Sequence, residues 1–417
     1  MFSRKDGILF IENVSTTEIA EKYGTPVYVT SKSQLEKNLD AYKKAFSDAE
    51  KLYAVKANNN LAIMKIIASN GFGADVFSAG ELYLALLAGF DRERMLFNGN
   101  SKSDSEIEIG IRAGVKFSVD SYDELKTIHN IAKNEGKEVE IAFRINPDID
   151  PKTHPKIATG LKESKFGIPE DQAIKAYEMA LKMENVIPIG IHCHIGSQIL
   201  ETLPFLSAMR KIGKIASDVE RLGVELDFLD LGGGLGIDYE GKGSITPFEL
   251  AKDLMPVFNE VCSNLRSKPE LWLEPGRSIV GNTTILLTRV NAVKRGYKNF
   301  VAVDAGFNLL IRPAMYGSYH RVSLANREGK EEEIYTIVGP ICESGDVLAK
   351  DRMLPKVEKG DLIAIFDAGA YGFAMSSQYN GRPRCAEVLV SGSRTALIRE
   401  PESFGDLIAK QRIPEWI

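Results

Sequence analysis

The stretch that decides the fold is Tyr53-Ala54-Val55-Lys56-Ala57-Asn58. Its apolar residues predict a short buried strand that ends at Lys56, and the run 58–60 breaks that strand before a helical stretch at 61–69. A lysine at the end of a strand that opens into a cleft is placed to bond covalently to a carbonyl compound. A solvated lysine at a strand terminus is the alternative, and the rest of the chain decides between the two.

Strand and helix patterns alternate along the chain after this stretch. Besides 51–55, further segments have the length and apolar character of buried strands: 73–77, 95–97, 116–119, 139–145, 187–194, 226–231 and 271–273. Helical periodicity separates them, and one of these helices, 104–113, is predicted to begin with Asp104 as its N-cap. About eight strands, each followed by a helix, predict a parallel (β/α)8 TIM-like barrel over residues 35–285.

The pattern changes after residue 285. Strand-length segments now follow one another with little helix between them: 285–293, 300–303, 333–338, 362–366, 386–390 and 395–399. Glycine and aspartate turns separate these segments. The sequence therefore predicts an all-β sandwich or β-barrel domain over residues 286–417, so that the fold class is α/β plus all-β.

Composition excludes several classes of partner. The chain has 417 residues, which suits a barrel plus a smaller domain, and its net charge of −5 argues against nucleic acid or an anionic membrane. No apolar run reaches the roughly 20 residues that span a bilayer. The four cysteines form no CxxC pair, and the first 15 residues lack the apolar core of a secretory signal. A cytoplasmic location with reduced thiols is predicted.

Polar residues stand where the predicted barrel strands end. They are Lys56, Asp75, His194, the glycines 232–234 and Glu274. Active sites of such barrels form at the C-terminal ends of the strands, so these distant positions are expected to converge on one cleft.

Two motifs at this face have competing interpretations. Gly232-Gly233-Gly234 allows backbone N–H groups to approach a phosphate closely, but a tight turn also needs glycine. His192 and His194, placed on one strand, would point to the same face as metal-binding pairs do. With five histidines in the chain and no carboxylate ligands to place beside this pair, no metal site is predicted.

Four further motifs complete the set: Glu274-Pro275-Gly276-Arg277, Ile311-Arg312-Pro313-Ala314-Met315-Tyr316, Gly339-Pro340-Ile341-Cys342-Glu343-Ser344-Gly345-Asp346 and Asp367-Ala368-Gly369-Ala370-Tyr371. Taken alone, Cys342 is interpreted as a small buried apolar residue. Taken together over nearly the whole chain, the motifs resemble the fold-type III, alanine-racemase-like family of pyridoxal-phosphate (PLP) decarboxylases. Within that family they are similar to the branch that acts on meso-2,6-diaminopimelate.

The resemblance implies a cofactor, a reaction and an assembly. PLP would be bonded to Lys56, and a carboxy-lyase reaction would give L-lysine and CO2, the last step of lysine biosynthesis. Glu274 against the pyridine nitrogen would keep it protonated, which strengthens the electron sink and favours decarboxylation over racemisation. The family also implies that residues 1–34 join the β-domain and that the active enzyme is a homodimer with shared sites.

The resemblance assigns roles to individual residues. The catalytic residues would be Lys56, His194 and Cys342, with Cys342 as the proton donor. The cofactor would be held by Lys56, Asp75, His194, Ser197, Gly232, Gly233, Gly234, Glu274, Pro275, Gly276, Arg277 and Tyr371. The substrate, a small amino acid with two carboxylates, would be held by Arg277, Arg312, Tyr316, Glu343 and Tyr371, because a guanidinium suits a carboxylate.

Two alternatives remain at this point. An ornithine, lysine or arginine decarboxylase of the same fold would meet a distal cation with aspartate, typically in a Cys-Asp pair where this chain has Cys342-Glu343. Such a substrate would also leave Arg312 without a carboxylate. A non-catalytic PLP-binding regulatory protein is the other alternative, and the intact Lys56 and Cys342 argue against it.

Overall fold

A computed structural model describes residues 2–150, 160 and 164–417 of the chain. The chain divides into two compact units, one made of Met1–Lys37, Asp238–Lys242 and Ile279–Ile417 and the other of Asn38–Ile237 and Gly243–Ser278. Within the described residues, no helix has the length and apolar character needed to cross a membrane.

The N-terminal segment is mostly strand. Its elements are β1 (Phe2–Lys5), β2 (Ile8–Ile11), β3 (Val14–Ser15), α1 (Thr16–Tyr23), β4 (Val27–Ser31) and α2 (Lys32–Ala45). The first three strands form a small antiparallel sheet. Ser15 caps α1 by accepting a hydrogen bond from the Glu18 N–H.

A closed parallel barrel follows. Its strands are β5 (Glu50–Ala54), β6 (Gly73–Val76), β7 (Met95–Phe97), β8 (Lys116–Val119), β9 (Val139–Asn146), β11 (Val186–His192), β12 (Phe228–Asp230) and β13 (Glu270–Leu273), with the short β10 (Ile168–Pro169) added beside β9. Each strand pairs with its neighbour in that order, and β13 returns to β5 and closes the ring. Most of these strands are buried along nearly their whole length, as parallel barrel strands covered on both faces must be. The predicted (β/α)8 barrel is confirmed.

Helices surround these strands: α3 (Leu61–Ser69), α4 (Ala79–Ala88), α5 (Asp104–Ala113), α6 (Tyr122–Glu135), α7 (Ala173–Ala180), α8 (Leu203–Arg221) and α9 (Pro247–Ser263). The N-cap of α5 is Ser103, not Asp104 as predicted. Ser103 Oγ accepts from the Glu106 N–H at 3.3 Å, and the Glu106 carboxylate accepts from the Ser103 N–H at 3.1 Å. This reciprocal capping box satisfies two backbone donors, which a cap at Asp104 would not.

The C-terminal part is a β-domain. Its strands are β14 (Thr284–Lys294), β15 (Phe300–Val303), β16 (Val322–Leu324), β17 (Glu332–Val338), β18 (Val347–Pro355), β19 (Leu362–Ile365), β20 (Ala386–Ser391) and β21 (Arg394–Arg399). Short helices α10 (Arg277–Val280), α11 (Arg312–Tyr316) and α12 (Phe404–Ile408) accompany them, with 3-10 turns at Gly281–Thr283, Phe373–Met375 and Tyr379–Gly381. The barrel part of the chain has 3-10 turns at Val55–Ala57, Arg92–Arg94 and Glu170–Gln172.

The N-terminal strand β4 lies at the centre of the β-domain sheet, between β14 and β20. Because successive side chains of a strand point to opposite faces, Val27 and Val29 enter one apolar core and Tyr28 enters a second. The β-domain therefore takes a buried strand from the opposite end of the chain.

Candidate active site

Lys56 lies two residues beyond the end of β5, on the 3-10 turn Val55–Ala57 rather than on the strand itself. Its Nζ forms an ion pair with the carboxylate of Asp75, a buried residue of the neighbouring strand β6 whose register partner on β5 is Ala54. Nζ also lies 5.1 Å from the centre of the Phe77 ring. One-third of the Lys56 side chain is exposed, whereas the Asp75 side chain is fully buried. The lysine is therefore partly accessible while its amine stays paired with a buried carboxylate.

Asn98 joins two buried carboxylates of the barrel, those of Asp75 and Glu274. Its Nδ2 donates to Asp75 Oδ1 at 2.7 Å and to Glu274 Oε1 at 2.5 Å. Burial and the nearby Glu274 raise the pKa of Asp75. Burial also acts to raise the pKa of Glu274, but the neighbouring His192 and Lys56 outweigh it and lower that pKa to about 2. Glu274 is therefore an ionised carboxylate inside the barrel.

His192 connects Glu274 to a second strand. Its Nδ1 lies 2.7 Å from Ser118 Oγ, and its Nε2 lies 3.5 Å from Glu274 Oε2. His192, Asp230 and Glu274 place three potential metal-ligand atoms within 4.8 Å of one another. This is the one such group among residues 2–150, 160 and 164–417. Asp230 already accepts from the Gly232 N–H at 2.7 Å, and burial raises its pKa well above the usual range. We propose no metal at this group.

His194 lies apart from that group. The strand β11 ends at His192, so the expectation that both histidines share one strand face is wrong. The Gly233 N–H donates to His194 Nδ1 at 3.2 Å, and burial together with the positive charge of Arg144 lowers the pKa of His194 to about 3. His194 therefore presents a neutral imidazole, with Nδ1 as an acceptor.

The glycine run after β12 is required by close packing. A Cβ on Gly232 would lie 2.6 Å from His194 Nδ1, one on Gly233 would lie 2.1 Å from the Glu274 carbonyl oxygen, and one on Gly234 would lie 2.5 Å from the Gly196 carbonyl oxygen. These distances are too short for any side chain. The loop thus brings bare backbone against the histidine and the end of β13.

The first residue of α10, shortly after β13, places a guanidinium beside Ser197. Arg277, which is buried, donates from Nη2 to Ser197 Oγ at 2.9 Å. Gly276 packs against the turn that holds Lys56, since a Cβ there would lie 2.9 Å from Ala54 Cβ, and the Pro275 carbonyl accepts from the Ala54 N–H. A hydroxyl and a guanidinium at one point form a donor set that suits a phosphate.

The remaining predicted residues belong to the other unit. In the loop after β17, the Cys342 N–H donates to Asn380 Oδ1 at 2.8 Å, and Tyr379 donates to Glu343 Oε1 at 2.8 Å. Cys342 is exposed, so its interpretation as a buried apolar residue is wrong. The buried carboxylate of Asp346 organises this loop by accepting from the N–H groups of Ile341 and Phe307.

Arg312 and Tyr316 begin and end the short helix α11. Arg312 is buried, and its Nη1 lies 2.9 Å from His320 Nε2. Tyr316 and Tyr371 are half-buried, and Tyr371 adopts the left-handed backbone conformation with φ of 56°. Near it, burial raises the pKa of Asp367 to about 6.

Two residues of the barrel site were not predicted. Asn98 follows the end of β7, the same kind of position that singled out Asp75 and Glu274, so the strand-end rule could have found it. Arg144 is buried on β9 in register with His192 and lies 4.5 Å from the Phe166 ring centre. An arginine within an apolar strand was the available signal.

The barrel residues fit PLP. They supply a primary amine at a partly open position, a buried carboxylate ionised down to about pH 2, a neutral flat imidazole, and a guanidinium with a hydroxyl near a glycine loop. The amine suits an aldehyde, the carboxylate and the neutral imidazole suit a protonated pyridine ring, and the guanidinium with the hydroxyl suits a phosphate.

Comparisons with known proteins agree with this site. Residues 32–281 match the family described as "Pyridoxal-dependent decarboxylase, pyridoxal binding domain". The fold and the site thus define a PLP-dependent decarboxylase of the barrel type.

Relatives narrow the class further. The diaminopimelate decarboxylase of Archaeoglobus fulgidus is 72% identical over 100% of both chains, and that of Aquifex aeolicus is 45% identical over 97% of this chain and 96% of its own. A crystal structure of the Methanocaldococcus jannaschii diaminopimelate decarboxylase in complex with L-lysine has a TM-score of 0.95 and 44% identity, covering 99% of this chain and 98% of its own. The chain belongs to the diaminopimelate decarboxylase family.

Proposed function

We propose that this protein is a carboxy-lyase that converts meso-2,6-diaminopimelate to L-lysine and CO2 with PLP as cofactor. The observation that carries the proposal is the buried, ionised Glu274 joined through Asn98 to the Asp75 partner of Lys56. A carboxylate held in its charged form can keep a pyridine nitrogen protonated. The relatives named diaminopimelate decarboxylase support this choice of substrate.

When bound, PLP supplies the electron sink that accepts the electron pair left when CO2 departs. Lys56 Nζ would hold the aldehyde end of the cofactor, at the position where the amino group of the substrate is taken up. The ionised Glu274 carboxylate would hold the ring-nitrogen end of the cofactor and favour its protonated form. His194, whose imidazole is neutral, would pack against the cofactor ring, because a charged imidazole there would disfavour a protonated ring nitrogen.

A second set of residues would hold the phosphate of the cofactor. Arg277 Nη2 donates a hydrogen bond to Ser197 Oγ, so the guanidinium and the hydroxyl lie side by side. Three further positions complete this set under the proposal, namely the glycine run 232–234, the turn 275–276 and Tyr371. A guanidinium gives the charge and the glycine backbone gives close approach.

Cys342 is the proposed proton donor of the last step. Loss of CO2 leaves a carbon that needs one proton, and we assign that proton to Cys342 Sγ, so that the product carries a CH2 group where the carboxylate stood. The exposed position of Cys342 leaves its thiol accessible to a substrate.

The substrate is held by its unreactive end. A meso compound has one D and one L centre, and because the product is L-lysine, the D centre loses its carboxylate. The L centre keeps both of its charges. Arg312 binds the retained carboxylate and Glu343 binds the retained ammonium, while Arg277, Tyr316 and Tyr371 line the remainder of the substrate.

The enzyme is proposed to be a homodimer that shares its sites. Cys342 and Glu343 are exposed in the single chain, whereas a proton donor to a carbon works best where water is excluded. A partner chain that covers this loop provides that exclusion, and two-fold symmetry gives two equal sites. The Cys342–Glu343 loop of one chain then completes the cleft on the barrel of its partner.

The domain boundaries and the location are proposed on the same basis. Residues 35–285 form the PLP-binding domain, and residues 286–417 with 1–34 form the other domain, for which the central position of β4 gives support. The four cysteines are free, as in the reducing cytoplasm, where the reaction would complete lysine biosynthesis.

Product analysis tests the proposed reaction. The protein loaded with PLP is incubated with meso-diaminopimelate, and L-lysine, CO2 and the stereoisomers of diaminopimelate are quantified. We expect L-lysine and CO2 in equal amounts and none of either from Lys56→Ala. Release of L,L- or D,D-diaminopimelate without CO2 would instead identify a racemase.

A further inference from the structure

We propose that His320 and Tyr239 are positioning residues for substrate specificity, because together they set the orientation of the Arg312 guanidinium. The inference rests on the proposed function, in which Arg312 binds the retained carboxylate of the substrate. Neither residue belongs to the motifs that suggested the site.

The hydrogen bonds of His320 determine its tautomer. Its Nδ1 lies 2.8 Å from the Phe366 carbonyl oxygen, which can only accept a hydrogen bond, so Nδ1 carries the proton. Its Nε2 lies 2.9 Å from Arg312 Nη1, which can only donate. A neutral ring with the proton on Nδ1 satisfies both contacts at once, and no other protonation state does.

Tyr239 fixes the guanidinium from a second direction. The centre of its ring lies 4.7 Å from Arg312 Cζ, and the same ring packs edge-to-face on His320 at 5.4 Å. Tyr239, His320 and Arg312 are all buried. The ring face attracts the cation, while the imidazole holds one edge of the fork, so rotation about the last bonds of Arg312 is restricted.

This arrangement matters because a guanidinium recognises a carboxylate through a planar fork of N–H groups. Holding that fork in one plane before the substrate arrives removes an ordering cost from binding. The benefit is specific to ligands that present a carboxylate at this position. It does not extend to ligands that present only an ammonium group.

Two ligands of equal length separate these cases. L-Lysine carries the retained carboxylate, and 1,5-diaminopentane is the same molecule without it. Binding of each to the PLP-loaded protein is measured by calorimetry, and KM and kcat for meso-diaminopimelate are measured in parallel. The variants are His320→Leu, His320→Gln, Tyr239→Leu and Arg312→Lys.

For His320→Leu we expect the Kd for L-lysine and the KM for meso-diaminopimelate to rise by at least about tenfold, since a hydrogen bond to a charged group is lost. Binding of 1,5-diaminopentane should change by less than about twofold, on the same reasoning, because it does not use Arg312. His320→Gln should retain part of the affinity, because an amide offers one acceptor and one donor. Tyr239→Leu should weaken L-lysine selectively as well, and it supplies the comparison if His320→Leu does not fold.

The outcomes distinguish this inference from the proposed function. If Arg312→Lys weakens L-lysine selectively while His320→Leu and Tyr239→Leu leave it unchanged, the positioning role is wrong and the function stands. Equal weakening of both ligands by the His320 and Tyr239 variants also overturns the inference. If Arg312→Lys affects neither ligand, the assignment of Arg312 to the substrate carboxylate is itself wrong.

Discussion

At the scale of single residues, charge is distributed unequally among the buried carboxylates near Lys56. Asp75 has a raised pKa and pairs with the lysine amine, whereas Glu274 has a pKa of about 2. Asn98, which donates to both, keeps the two carboxylates in fixed positions. The Asn98 amide thus separates two groups: Asp75, which pairs with the Lys56 amine, and the ionised Glu274.

Chemical labelling tests the role of Lys56. The purified protein should absorb in the violet through covalently attached PLP, and borohydride should bleach this absorbance by making the bond irreversible. Peptide mapping should then find the label on Lys56. The buried Lys102, paired with Glu124, serves as an internal comparison, and a label on any other lysine would contradict the assignment.

Substitution of Glu274 tests the electron sink. Glu274→Gln should retain PLP but lower kcat by at least about 100-fold, or about 2.7 kcal/mol, because the pyridine nitrogen loses its anionic partner. Glu124→Gln, a buried carboxylate of the same barrel, is the matched control and should leave kcat per folded protein nearly unchanged. A rise in KM with an unchanged kcat would show that Glu274 acts on substrate binding instead.

The pKa of Glu274 also predicts a pH profile. Its pKa is lowered to about 2, so the carboxylate stays ionised at every pH above that value. Glu274 should therefore not titrate between pH 5 and 9. Any fall in kcat toward acid pH that the wild type shows in this window should also be present in Glu274→Gln. A limb in that window that the substitution removes would mean that Glu274 titrates near neutrality.

At the scale of elements, the loop that carries Cys342 depends on Asp346. This buried carboxylate accepts from Ile341 N at 2.8 Å and from Phe307 N at 2.7 Å. Asp346→Ala should destabilise the protein by roughly 3 kcal/mol, because two charge-assisted hydrogen bonds are lost. It should also lower kcat by about tenfold as Cys342 loses its position.

The control for this change is Asp351→Ala, a half-exposed carboxylate on β18. It should alter neither kcat nor the absorbance of bound PLP. Thermal unfolding and steady-state kinetics measure both variants, and an Asp346→Ala enzyme with full kcat would show that the loop keeps its shape without this carboxylate.

Element positions followed from hydrophobic periodicity where burial is continuous. The strands predicted at 95–97 and 116–119 are β7 and β8 to the residue, because barrel strands are apolar along their whole length. Strand ends were less predictable, as at β11, which stops two residues before His194. Strand β18 was missed because Lys350, Asp351 and Arg352 interrupt its apolar pattern.

The site was predictable to the same degree. That Lys56, Asp75 and Glu274 lie together could be predicted because each lies within two residues of the end of a barrel strand. The bridging role of Asn98 could not, since it depends on the distance between two strands. The exposure of Cys342 likewise depends on how a loop is held by residues far along the chain, such as Asn380.

At the scale of the whole molecule, the two ends of the chain are linked through one sheet. The strand β4 pairs with β14 and β20, which lie more than 250 residues later in the sequence. Local periodicity contains no information on such pairing. The pairing of β4 with strands of the second domain could therefore be expected only from the family resemblance.

Complementation tests the proposed shared sites. Lys56→Ala and Cys342→Ala should each be nearly inactive alone, because each removes one essential group from both sites. After mixing and subunit exchange, random pairing gives heterodimers with one intact site, and activity should rise to about a quarter of wild type. If subunits demonstrably exchange and no activity returns, each site is built within a single chain.

The measurement that tests the central claim most directly compares kcat/KM for meso-diaminopimelate, L-lysine, L-ornithine and L-arginine on the same PLP-loaded preparation. The proposed site, with Arg312 for the distal carboxylate and Glu343 for the distal ammonium, is expected to reject substrates that lack this carboxylate, because the buried Arg312 would be left without it. We predict a preference for meso-diaminopimelate of at least about a thousandfold over each of the other three. Faster turnover of L-lysine or L-ornithine would contradict the account.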